Sequence, residues 1–179
     1  MILGVDELLK LVKEKKLVEN LCDRELNNPT GAGFDLRIGE IFELESDGFL
    51  GIEDRHTPKT DLISKYKENE ERWIILEPNK YYVIRTVETI NCSEDLVGFM
   101  FPRSTLYRSG ILVRGGVIDP GYKGRLSFGI INLNDKPFKL QMGARVANIS
   151  FFEVKGKVNL YKGKWQGGRV NTKEKEKQI

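Results

Sequence analysis

Asp119 stands between the apolar pair Val117-Ile118 and the turn formers Pro120-Gly121. β-branched residues favour extended backbone and a Pro-Gly pair reverses it, so this carboxylate is predicted at the end of a strand, on the lip of a turn. Tyr122 follows three residues on, and Gly115 and Gly116 upstream let the backbone come close to a flat partner. A carboxylate so placed can serve as a general base beside a sugar or a nucleobase. It can equally bond the amides of its own turn, as Asp often does. The ten residues Gly115–Gly124 leave both open.

Other chemistries have little to work with. Cys22 and Cys92 are far apart, with no C-x-x-C and no companion histidine motif, which argues against a zinc site. His56 is the single histidine and lies in a charged, turn-rich stretch, a poor setting for Ser-His-Asp or Cys-His catalysis. The catalytic inventory reduces to carboxylates, hydroxyls, Arg, Lys, a bound metal and backbone amides. Lys and Arg number 29 against 26 Asp and Glu, a net charge of +3. That excess is too small to argue for nucleic acid and suits a small anionic ligand.

The elements that must position Asp119 read mainly as strands. Val5, Leu8, Leu9 and Val12 repeat at helical spacing, predicting one amphipathic helix over Val5–Lys15. Phe34, Leu36 and Ile38 alternate with Asp35, Arg37 and Gly39 in a half-buried strand. Residues 46–72 form a charged surface insertion, with a short helix expected over 61–71. Strands follow at 73–76, 81–86, 88–92, 97–101, 111–114, 125–132, 138–140, 145–154 and 158–161, separated by turn residues. This is the pattern of an all-β sandwich or barrel. One domain is expected over 1–162, and 163–179, rich in glycine and charge, as a mobile tail. No apolar run approaches the ~20 residues of a membrane span, and the opening MILGVDELLK lacks a signal peptide's apolar core, so a cytoplasmic protein is expected.

Five short segments take on meaning together: Gly31–Leu36, Pro102–Leu106, Gly115–Gly124, Gly143–Asn148 and Gln166–Arg169. In this order they resemble the five motifs of the trimeric dUTPase and dCTP deaminase superfamily, over most of the chain outside 46–72. The N-terminal segment looks like that of the deaminase branch, and the whole resembles an archaeal-type dUTPase with such an N-terminus. The resemblance implies a distorted β-barrel or jelly roll, and a homotrimer with sites between subunits. It also implies a role for each motif residue. Asp119 would activate water and Tyr122 would pack on the deoxyribose. Backbone around Gly116, Val117 and Ile118 would read the pyrimidine. Arg103, Ser104 and Arg169 would serve the phosphates, Thr105 and Gln166 would belong to the same substrate site, and Asn148 stands where many members have Gln. Trp165 would cover the nucleotide or act as an apolar anchor. Asp35 would sit near Mg²⁺ through water, or brace a strand, while Arg145 is expected in a structural ion pair.

The superfamily performs two chemistries. In its deaminases the strand after the turn carries a glutamate that shuttles protons at the cytosine ring. Counting from Ile118, that place falls on Gly129, and no carboxylate stands between Arg125 and Asn132. Glycine moves no protons. The expectation is therefore Mg²⁺-dependent hydrolysis of dUTP to dUMP and pyrophosphate. The alternatives are a dCTP deaminase, mono- or bifunctional, and a barrel that only binds a nucleotide.

Overall fold

The computed structural model describes residues 1–178. Helix α1 spans Val5–Lys15, as its apolar spacing predicts, and buries Leu8 and Leu11. Lys16 ends it in the left-handed region at φ 54°, its N–H returning to the Val12 carbonyl. Strand β1 (Val18–Glu19), a one-turn helix α2 (Asp23–Asn27) and β2 (Phe34–Leu44) follow. The insertion contributes β3 (Phe49–Leu50), β4 (Asp54–His56) and β5 (Thr60–Lys65). Then come β6 (Trp73–Leu76), β7 (Tyr81–Asn91), β8 (Leu96–Pro102), a second one-turn helix α3 (Ser104–Arg108) and β9 (Ile111–Arg114). The chain closes with β10 (Val117–Ile118), β11 (Lys123–Asn132), β12 (Phe138–Gln141), β13 (Arg145–Glu153) and β14 (Glu176–Lys177).

The fold is mostly β, as expected, with α2 and α3 added to the N-terminal helix foreseen. A nine-stranded sheet runs β10-β8-β13-β2-β7-β11-β9, with β1 on β7 and β5 on β2, all antiparallel. Its inner face holds the core: Phe34, Leu36 and Ile38 of β2, Ile84 of β7, Ile130 of β11 and Phe151 of β13 are fully buried. Among the described residues no helix is long and apolar enough to cross a membrane.

Four expectations differ from the structure, each for a physical reason. The strands foreseen at 81–86 and 88–92 are one, because Glu88, fully buried on the inward face, is paired with Arg37 rather than ending the strand. No helix forms over 61–71: residues up to Lys65 pair with β2 through backbone bonds, and four of the six side chains of β5 point to solvent. Residues 158–161 form no ladder, and Tyr161 instead donates its N–H to the Pro120 carbonyl at 2.8 Å. The tail has more to bury than its composition promises. Its β14 pairs with β4 of the insertion, and Thr172 is buried between Thr57 and His56.

Candidate active site

Strand β10 delivers Asp119 to a cavity of ≈ 450 Å³ whose wall includes Ile118, Asp119, Tyr122, Phe128, Trp165 and Arg169. The turn after β10 closes through the backbone, Tyr122 N–H donating to the Asp119 carbonyl at 3.1 Å. The Asp119 carboxylate itself is exposed and accepts no hydrogen bond from any described residue. Its oxygens are therefore not spent on its own turn amides. Tyr122 is buried beneath the turn, its hydroxyl donating to the Arg125 carbonyl at 2.9 Å and its ring edge-on to Tyr161 at 5.4 Å. Burial, then the neighbouring Tyr161, push the Tyr122 phenol up to about 12, so it stays a neutral surface at physiological pH. Burial and the nearby Asp119 likewise push the Cys92 thiol up to about 12, which leaves no thiolate for nucleophilic chemistry. His56 stacks on Phe49 and meets Thr172, and it lines no part of this cavity.

The tail folds back over the same cavity. Gln166 bridges the turn, accepting from the Lys123 N–H at 2.8 Å and donating to the Gly121 carbonyl at 3.0 Å. Gly167 N–H bonds the Lys123 carbonyl at 2.7 Å. Gly168, at φ +77°, approaches so closely that a Cβ would lie 2.7 Å from the Arg125 carbonyl oxygen, a conformation and a gap that glycine alone satisfies. The Arg85 guanidinium donates to the Gly168 carbonyl at 3.0 Å while holding buried Glu40 at 2.7 Å. Burial works against the Glu40 charge, but Arg85 and Arg125 outweigh it and hold the carboxyl below its ordinary value. The guanidiniums of Arg55 and Arg169 both pack on Trp165, each 4.8 Å from the ring centroid. Glu176 joins those two arginines, accepting from Arg55 at 2.9 Å and from Arg169 at 2.7 and 2.8 Å.

A second cluster lies apart from this cavity. Asp35 on β2 accepts from Arg145 and from the Asn148 amide, both at 3.1 Å, and is paired with Arg103. Buried Glu25 sits alongside, accepting from the Asp35 N–H at 2.9 Å and pairing with Arg24. Arg145 thus makes the structural ion pair expected of it. Burial, then Arg145 and Arg24, lower the Arg103 pKa, the mark of three guanidiniums facing only two carboxylates. Ser104 and Thr105 begin α3 at the exposed rim of this cluster. The set does not fit a resident Mg²⁺, because both Asp35 oxygens are engaged and a divalent cation would sit among guanidiniums. No group of three or more His, Cys, Asp or Glu that could hold a metal occurs among the described residues. Of the residues singled out in the sequence, Val117, Ile118, Asp119, Tyr122, Trp165 and Arg169 converge on one cavity, and Gln166 pins the tail across it. Gly116 lines a smaller neighbouring cavity of ≈ 150 Å³. Asp35, Arg103, Ser104, Thr105 and Asn148 line neither.

A family model described as dCTP deaminase-like matches residues 2–154. The chain belongs to this family. It is 41% identical over 138 residues to the probable deoxyuridine 5′-triphosphate nucleotidohydrolase of Aeropyrum pernix, covering 76% of this chain and 83% of that one. It is 31% identical over 157 residues to a protein of Dictyoglomus turgidum named dCTP deaminase, dUMP-forming, covering 86% of this chain and 81% of that one. Among solved structures, the 2′-deoxycytidine 5′-triphosphate deaminase of Agrobacterium tumefaciens shares the fold, with a TM-score of 0.65 at 18% identity over 84% of this chain. This chain spans 46% of that one.

Within the dCTP deaminase-like family the two kinds of name make Gly129 the position to inspect. It lies on β11 in the wall of the Asp119 cavity, and the space beside it is taken by Tyr81. Sequence reading missed Tyr81, as it missed Thr57 and Tyr161, which line the same cavity. Only the cross-strand register, Tyr81 opposite Ile131 and Val83 opposite Gly129, brings the phenol there.

Proposed function

We propose that this protein hydrolyses dUTP to dUMP and pyrophosphate, acting on the free nucleotide in the cytoplasm. The observation that carries the reading is the unpartnered Asp119 carboxylate on the wall of a nucleotide-sized cavity. Asp119 takes a proton from a water as its oxygen attacks the α-phosphorus in line. The new P–O bond replaces the bond to the bridging oxygen, which departs with the β- and γ-phosphates as pyrophosphate. The substrate is the Mg²⁺ complex of dUTP, the metal travelling with the phosphates. Backbone groups of Val117 and Ile118 read the pyrimidine, the neutral Tyr122 ring packs against the deoxyribose, and the tail excludes water. Arg169 takes up phosphate charge on exchanging its Glu176 partner for the ligand.

The Asp35–Arg103 cluster carries an excess of positive charge yet shares no cavity with Asp119 within one chain. A homotrimer, in which this cluster meets the Asp119 cavity of a neighbouring copy, gives both a use. Sedimentation should then find particles of three 20.5-kDa chains, and a fully active monomer would remove this part of the reading. The decisive experiment separates products after incubation with Mg²⁺ and either dUTP or dCTP. Pyrophosphate and dUMP are expected from dUTP alone, and Asp119→Asn should abolish their release while nucleotide affinity stays within about tenfold, or 1.4 kcal/mol. Turnover by Asp119→Asn near the wild-type rate would take the base role away from this carboxylate. Ammonia from dCTP would make the protein a deaminase.

A further inference from the structure

One end of the Asp119 cavity is walled by a phenol that none of the motif residues accounts for. A Cβ at Gly129 would lie 2.6 Å from the hydroxyl-bearing carbon of Tyr81 and 2.8 Å from the adjacent ring carbon. The ring thus occupies the volume that any side chain at 129 would need, and glycine at 129 is what admits it. Both residues face the cavity from adjacent strands, β7 and β11. Tyr82 and Tyr122, by contrast, have their hydroxyls bonded to the backbone, at 3.2 and 2.9 Å. The Tyr81 hydroxyl bonds no described residue, and its side chain is 42% exposed, so the group is available to a ligand.

Arg169 and Trp165 come from the tail, which meets β11 near Gly124, five residues before Gly129. Gly168 also packs on Arg125, and at a rise of ~3.3 Å per residue the four residues from there to Gly129 separate the tail contact from Gly129 by about 13 Å. Around Gly129 the wall offers Val83, Val117 and Phe128, with Ser127 beside them, surface fit for the face of a base, while the phosphates belong with Arg169. We infer that Tyr81 is a specificity-determining residue at the base end of the site, its hydroxyl donating a hydrogen bond to a ring carbonyl of the pyrimidine. The inference rests on the nucleotide reading above and adds to it the group that contacts the base edge.

Deoxyuridine and pyrophosphate probe the two ends separately and require no turnover. Titrations of each, followed by NMR, compare the wild type with Tyr81→Phe, which keeps the ring and removes the hydroxyl. The loss of one neutral hydrogen bond should weaken deoxyuridine by roughly three- to tenfold and leave pyrophosphate affinity unchanged. Gly129→Ala, which drives the phenol from its place, should weaken deoxyuridine at least as much. Deoxyuridine affinity within about twofold of wild type in Tyr81→Phe, or an equal loss for pyrophosphate, would overturn the inference. Absence of pyrophosphate release from dUTP by the wild type would instead overturn the hydrolase reading, and the deoxyuridine titration would still decide the role of Tyr81.

Discussion

Trp165→Leu keeps apolar bulk in the tail and removes the ring face that Arg55 and Arg169 cover. Each guanidinium lies 4.8 Å from the centroid, and the two side chains are 15% and 29% exposed, so both contacts are partly shielded from water. Such contacts are worth about 0.5–1 kcal/mol each at accessible sites, and two of them give about 1–2 kcal/mol. That energy shifts the ratio of closed to open tail by roughly 5- to 30-fold. The Gly167 N–H, bonded to the Lys123 carbonyl at 2.7 Å, exchanges with solvent only when the tail lifts. Hydrogen exchange read by NMR should therefore show Gly167 protection falling by the same factor. The Ile84 amide in central β7, paired on both sides, serves as the unchanged reference. If closure is needed for turnover, kcat/KM for dUTP falls by no more than that factor. Unchanged Gly167 protection would refute the claim that the arginine–tryptophan stack holds the tail down.

Other outcomes follow from the same structure. Arg37→Met should destabilise the fold by about 3–5 kcal/mol in denaturant titration, since it strands the fully buried Glu88 carboxylate that Arg37 holds at 2.7 Å. Glu88→Gln, which removes the charge along with its need for a partner, should cost less. Hydrogen bonding from Arg169 holds Glu176 down at about 2 from an ordinary 4.5, so its clasp on the tail is complete above 4.5 and is lost as pH falls through 2. Gly167 protection, corrected for intrinsic exchange, should then be flat from about pH 5 to 8. Tyr122→Ala should lower the ratio of kcat/KM for dUTP over UTP, and an unchanged ratio would place sugar selection elsewhere.

Strands whose side chains alternate between core and water announce themselves, and β6 and β9 are found where Trp73–Leu76 and Ile111–Arg114 predict them. Alternation fails as a guide where a charge faces inward with a partner from another strand, as Glu88 does with Arg37. It fails again where a strand such as β5 is held by backbone bonds and buries only Ser64. The same division runs through the candidate site. Asp119, Tyr122 and Gln166 are legible because a turn and a glycine-rich tail fix them locally. Tyr81 carries no local signal, and its meeting with Gly129 exists only once β7 and β11 are in register. Asp35 reads as a metal neighbour until the folded chain brings three guanidiniums around it.

The shared volume at Gly129 and Tyr81 also ties together the mutational fates of two positions that lie 48 residues apart. Any residue that adds a carbon at 129 must move the phenol from its present place. A carboxylate introduced at 129 alone would displace the Tyr81 ring, so Gly129→Glu changes two groups on the cavity wall at once, removing the phenol as it adds the acid. The two positions therefore act as one unit in mutation: the phenol and a side chain at 129 cannot share the same place on the wall, and whichever is there keeps the other out.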